Sequence, residues 1–203
     1  MRGISPGEGQ RFFPSFFLLS FLLALVIGSC FFPPEAAAQQ TKREGLSLFD
    51  RLAEEATLLN KRGQYDKVIT LLEPHKGDKR NDSALFFNEL GIAYRHKGRL
   101  SESIQAYQAA ISREPENPVI MKNMADAFCL SKEYTQAIEL YQKVLESNPR
   151  FQQAHAGLGL AYHQLEKYKE ALEQFEIVLK LDPQDEQAKK FREVILKKLR
   201  RKK

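Results

Sequence analysis

A short block recurs three times in this chain with a fixed period. Aligning NELGIAY (88–94), NMADAFC (123–129) and GLGLAYH (157–163) places the small residues Gly91, Ala125 and Gly159 34 positions apart. The aromatics Tyr94, Phe128 and Tyr162 keep the same spacing, and so do Pro115, Pro149 and Pro183. A period of this length is one helical hairpin stacked on the next, because a single hairpin cannot bury its own apolar face. Such a stack offers a surface to a partner and carries no built-in reaction chemistry.

The third copy shows the physics. Leu158, Ala161, Tyr162 and Leu165 fall three and four residues apart and make one apolar stripe. Gly159 lies on that stripe although glycine costs about 1 kcal/mol relative to alanine inside a helix. Close approach of a second helix explains it, with Ala171 as the expected small partner. Glu166 to Lys169 form the turn. Ala171, Leu172, Phe175, Val178 and Leu179 repeat the period in the second helix, which Asp182-Pro183 ends. In the first copy Leu90, Gly91 and Tyr94 are expected to face Ser103, Tyr107 and Ala110. In the second, Met124, Ala125 and Phe128 face Ala137, Tyr141 and Val144, with Pro118 opening the helix.

These segments resemble tetratricopeptide repeats. The resemblance rests on Phe87, Met121 and His155, then Leu90-Gly91, Met124-Ala125 and Leu158-Gly159, then Tyr94, Phe128 and Tyr162. Ser103, Ala137 and Ala171, Tyr107, Tyr141 and Phe175, and Ala110, Val144 and Val178 fill the later columns before the three prolines. The family's Trp column is never Trp here. The resemblance implies an all-α, right-handed superhelical solenoid of helix-turn-helix hairpins with a C-terminal capping helix. Residues 84–117, 118–151 and 152–185 are the three clear repeats. A degenerate repeat at 48–83 precedes them, with its second helix stopping near Pro74 and a polar loop at 75–82. Residues 186–203 form a basic capping helix and tail with Ala188, Phe191, Val194, Ile195 and Leu199 on one stripe. About nine helices are expected.

Residues 1–38 stand apart from the fold. Arg2 and Arg11 precede an apolar run from Phe16 to Ile27, followed by Pro33-Pro34 and Ala36-Ala37-Ala38. A charged start, an apolar centre and a small-x-small end make a secretory signal with cleavage expected after Ala38, leaving 39–47 as a linker. Two alternatives stay open. Ile27-Gly28-Ser29-Cys30 resembles a bacterial lipobox, which would put lipid on Cys30. The stretch from Ser15 to Phe32 is near the lower length for an uncleaved membrane anchor. All three place the repeats outside the cytoplasm, in the periplasm or on the periplasmic face of the membrane. Cys129 is then without a disulfide partner.

The net charge of +5 is unevenly spread. Residues 186–203 hold nine basic and two acidic residues, a net +7, while 39–185 carry about −2. A solvated helix end, contact with an anionic membrane and, last, nucleic acid are the readings of that tail, since no interleaved aromatics support base stacking.

No Gly-rich phosphate loop, nucleophile elbow or paired-Cys motif is present, and the four histidines are scattered. No enzyme activity, cofactor or metal is expected; a thiol-redox role for Cys129 is the remote alternative. The resemblance implies instead that the first helix of each pair lines a concave groove. Carried onto this sequence, that side presents Leu85, Asn88, Ile92 and Arg95, then Val119, Lys122, Asp126 and Cys129, then Gln153, Ala156, Leu160 and His163. The groove would take a protein or peptide segment during assembly, secretion or envelope biogenesis. Some family members hold the C-terminal carboxylate of heat-shock chaperones with a Lys/Asn/Arg clamp. Its first-copy places hold Asn88 and Ile92, its third-copy places Gln153 and Gly157, and only Asn123 matches, so that mode is not expected.

Overall fold

Short polar caps decide where helices begin. The structure, a computed structural model, describes residues 46–201. Ser47 opens α1 (Leu48–Lys61) by accepting a hydrogen bond from the Asp50 amide at 3.1 Å. Ser83 opens α3 (Ala84–His96) through the Phe86 amide. Asn117 opens α5 (Pro118–Leu130) by accepting from both Val119 and Ile120, with Pro118 at the position where a missing N–H costs nothing. α7 (Gln152–Gln164) is the remaining first helix.

The second helices follow tight turns and begin without side-chain caps: α2 (Tyr65–Leu72), α4 (Leu100–Ile111), α6 (Tyr134–Ser147) and α8 (Tyr168–Leu181). Each turn needs one residue in the left-handed region. Gly63 and Gly98 adopt it at φ 70° and 73° without a Cβ to clash, while Lys132 and Glu166 adopt it at 64° and 56°. Gly98, Lys132 and Glu166 are one position of the 34-residue repeat, so the hairpin geometry overrides a local cost of about 1 kcal/mol. A single 3-10 turn (Glu73–His75) continues α2 past Pro74. The chain then closes on itself: Asn81 is buried, Arg113 donates to its carbonyl, and the same guanidinium lies 4.2 Å from the Phe87 ring centroid. The segment expected to be a polar loop is therefore partly a packed connection.

Each first helix packs on its own second helix, and each second helix packs on the next first helix, from α1 through to α9 (Glu186–Arg201). Among the described residues these nine α-helices are joined without a strand. Three linked apolar clusters run along the stack, built on Val68, Phe86 and Tyr107, then Tyr141, Val144 and Leu158, then Phe175, Val178 and Ile195. The result is a helical-hairpin solenoid.

The small positions do mark close approach. A Cβ at Gly91 would lie 2.7 Å from the fully buried Tyr107 ring, and Ser103 Oγ donates to the Gly91 carbonyl at 2.8 Å. Ala125 is fully buried. At Gly159 the nearest atoms are the Phe175 ring at 3.0 Å and Gln174 Cβ at 3.3 Å, so the aromatic of the second helix, and not Ala171, fills the space.

α9 occupies the place of the first helix of a fifth hairpin. Ala188 and Ile195 are buried where Ala154 and Ala161 are buried one period earlier. Phe191 stacks on Phe175 with ring centroids 5.1 Å apart, one period after the contact of Gly157 with Tyr141. Val194, expected on the buried stripe, is 44% exposed. Residue 194 falls in the column of Ile92, Asp126 and Leu160, and among the described residues no second helix follows α9 to cover it.

The leader, the linker through residue 45 and Cys30 lie outside the described residues. Among the described residues no helix is long and apolar enough to cross a membrane.

Candidate protein-binding groove

First helices of successive hairpins touch one another, α3 with α5 and α5 with α7, so their outward columns form one continuous surface. At its N-terminal edge Leu85 and Val119, one period apart, are 41% and 50% exposed. Gln153 continues the column and is also exposed. Ile92 lies partly buried behind them, against the first core cluster. Two large aliphatic side chains left in water on adjacent helices are the clearest sign of a docking face.

A polar cluster sits next along the groove. Asp126 accepts from Arg95 of the neighbouring hairpin and from Lys122 one turn earlier, both at 3.0 Å and both on Oδ2. Its other oxygen accepts from the Tyr141 hydroxyl at 2.6 Å. Three helices thus converge on one carboxylate, and four expected groove residues, Arg95, Lys122, Asp126 and Cys129, are brought together. Tyr141, the fifth member, was assigned only to the core by sequence, because its aromatic column hides that its hydroxyl reaches through to the groove. Burial, together with Asp126, pushes the Tyr141 phenol far above its usual value.

Asn88 departs from expectation. It is 6% exposed and belongs to a hydrogen-bonded ladder between hairpins. Asn60 Nδ2 donates to Glu89 Oε2 at 2.8 Å, Asn88 Nδ2 donates to Glu89 Oε1, and Asn123 Nδ2 donates to Asn88 Oδ1 at 3.0 Å. The side chain points into the seam between α3 and α5, where amides satisfy one another, and is not offered to a ligand. Glu89 is buried in this ladder, and desolvation raises its carboxyl above the ordinary 4.5, against the opposing pull of the Asn60 and Asn88 hydrogen bonds. A carboxyl whose folded pKa is raised holds its proton more tightly in the folded protein. Its contribution is therefore complete below about pH 4.5 and is lost as pH rises through the folded value. Thermal melts of wild type and Glu89→Gln from pH 4.5 upward should diverge, with wild type losing ground relative to the variant. Parallel profiles would show that folding leaves the Glu89 carboxyl at its unfolded value.

The third copy contributes less open surface than expected. Ala156 and Leu160 are partly buried against the cluster that includes Ile195. His163 meets Tyr168 and Phe191 edge-on, with centroids 5.7 Å and 6.1 Å away. Neither of its ring nitrogens, both buried, finds a hydrogen-bond partner among the described residues. α9 covers this part of the groove because it packs in the next first-helix position. His155 is buried as expected, held between Gln174 and the Pro149 carbonyl.

Cys129 is half-buried, with its sulfur 3.9 Å from the Tyr141 hydroxyl. Burial pushes the thiol up to about 11 from an ordinary 9.0. A redox thiol needs the opposite shift, since the thiolate is the nucleophile. Titration with a disulfide reagent at pH 8 should therefore run about 100-fold slower in the folded chain than after unfolding. Equal rates would return Cys129 to candidacy. No group of three or more metal-ligating side chains occurs among the described residues.

The third-copy clamp places hold Gln153 and Gly157, neither of them charged, and Asn123 is committed to the ladder with Asn88.

Two tetratricopeptide repeat profiles match the chain, at residues 84–117 and 124–186. No curated protein sequence matches it. Among solved structures, the first repeat domain of Spaghetti (RPAP3) bound to the HSP90 peptide SRMEEVD is 29% identical, covering 57% of this chain and 92% of that one with a TM-score of 0.56. The Arabidopsis OM64 repeat domain is 26% identical over 56% of this chain and 94% of its own, with a TM-score of 0.55. MamA of MSR-1 shares the fold over 74% of this chain and 86% of its own, at 22% identity and a TM-score of 0.65. Matching profiles and stacked hairpins agree that residues 84–117 and 124–186 hold tetratricopeptide repeats.

Proposed function

We propose that this protein is a non-enzymatic scaffold of the bacterial cell envelope that holds a segment of a partner polypeptide in its groove during assembly, secretion or envelope biogenesis. The exposure of Leu85 and Val119 side by side on α3 and α5 carries this reading. A folded chain gains little from leaving two aliphatic side chains in water; a partner that covers them gains about 25 cal/mol for each Å² of apolar surface buried. The peptide held by the Spaghetti (RPAP3) domain supports the mode of binding, while the missing clamp residues argue for a different ligand. The apolar run from Phe16 to Ile27 and the Ala36-Ala37-Ala38 stretch support export. Lipid at Cys30 would change only the tether.

Leu85→Glu with Val119→Glu is the direct test, because both side chains are exposed and the fold should tolerate the change. Proteins recovered from the native envelope on wild type and on this variant should differ by one dominant species, with melting temperatures within a few degrees. Identical captures would rule the groove out. The mass of the mature N-terminus, read from cells, separates cleavage after Ala38 from lipid on Cys30 and from a retained anchor.

A further inference from the structure

The four first-helix columns that face inward can be followed across the stack into α9. They end on Gln187, Lys190, Val194 and Lys197, one period after Gln153, Ala156, Leu160 and His163. The burial of Ala188 and Ile195 and the stacking of Phe191 on Phe175 fix α9 in that register. Its exposed stripe at 190, 194, 197 and 201 therefore continues the groove. Over sixteen inward positions the surface carries four cations, Arg95, Lys122, Lys190 and Lys197, and one acid, Asp126, a net +3. Residues 39–185 as a whole carry about −2. The inner surface thus has the opposite sign to the body that builds it.

The charge is unevenly placed along the stack. α3 and α5 combine the exposed Leu85 and Val119 with Arg95, Lys122 and Asp126, whose carboxylate offsets one of the two cations; α7 adds no Asp, Glu, Lys or Arg in these columns, and α9 makes the far end basic. Lys190 and Arg201 are exposed and have no ion-pair partner among the described residues, while Lys197 meets only the exposed Glu193.

Resting on the groove reading above, we infer that the partner segment is apolar along one part and acidic along another, with its acidic part seated on the inner face of α9. Four helices about 9 Å apart span about 27 Å, the reach of roughly eight extended residues. This recognition differs from the carboxylate clamp, whose first- and third-copy places hold Asn88, Ile92, Gln153 and Gly157, because the charge comes from the helix that closes the stack. It also gives the basic tail a role other than contact with lipid or nucleic acid. Phe191, the one aromatic of α9, is taken up by Phe175 and His163 and cannot stack on a base.

Fluorescence anisotropy on the full chain tests this with twelve-residue peptides carrying a Leu/Val block next to a Glu block, in both orders, against peptides with Gln in place of Glu. The Glu peptide in one order should bind about tenfold more tightly than its Gln counterpart, with the advantage shrinking from 50 to 300 mM salt on the order of Debye screening. Lys190→Gln with Lys197→Gln and Arg201→Gln should erase the advantage and leave Gln-peptide binding unchanged. Equal binding of Glu and Gln peptides to wild type overturns the inference and leaves the groove standing. Loss of both peptides in Leu85→Glu with Val119→Glu supports the groove itself, and unchanged binding there sinks the groove reading. Failure of every peptide to bind, or capture of wild type by phosphatidylglycerol vesicles with no acidic-peptide preference, overturns it as well.

Discussion

Replacing Phe175 with alanine is expected to cost about 3–5 kcal/mol, enough to unfold the C-terminal end of the stack. The side chain is 2% exposed and does three things at once. Its ring fills the space left by Gly159, stacks on Phe191 and thereby anchors α9, and joins the last core cluster around Val178 and Ile195. Truncation removes the ring's transfer free energy and leaves a cavity that α8 cannot close without moving α9. Denaturant titration by circular dichroism should show the loss. Phe175→Leu keeps most of the volume but not the stacking, and should lie between wild type and alanine. A cost below about 1 kcal/mol for the alanine variant would mean that α9 is not docked where the stacking places it.

Gly91→Val is expected to cost about 3 kcal/mol, at the upper end for overpacking. The Cβ of any side chain there would meet the Tyr107 ring at 2.7–3.0 Å, and Tyr107 is fully buried with no room to withdraw. Any retreat of α4 would also stretch the hydrogen bond from Ser103 to the Gly91 carbonyl. Gly159 is the internal control. Its nearest neighbours lie at 3.0–3.3 Å, so Gly159→Ala should cost less than Gly91→Ala when both are measured by thermal melting. Alanine regains about 1 kcal/mol of helix propensity at either site. The reverse order would show that the Tyr107 ring yields more readily to a side chain at Gly91 than the Phe175 ring does at Gly159.

These expectations show which parts of the fold could be read in advance. A strict period repeats the same packing problem, so small residues at Gly91, Ala125 and Gly159 and large ones at Tyr107, Tyr141 and Phe175 mark the buried seam of each hairpin, though not every partner across it: Gly159 meets Phe175 where Ala171 was expected. The turns were less legible: Lys132 and Glu166 stand where Gly98 stands, and nothing in their chemistry marks a left-handed backbone. The groove was legible as a set of columns and not as a set of exposures. Asn88 and Asp126 are both polar residues on inward columns, yet one is buried against Asn123 and the other gathers Arg95, Lys122 and Tyr141.

Period and hydrophobic spacing alone determined that this chain stacks helical hairpins and which faces they bury, because each hairpin must hide the same stripe. Tertiary structure decided what the inner surface offers. Whether a polar side chain there meets a neighbour or meets water depends on distances between hairpins, which spacing along one chain does not encode. The same holds for α9: its composition suggested a solvated end, and only its docking on Phe175 turned Lys190 and Val194 toward the groove.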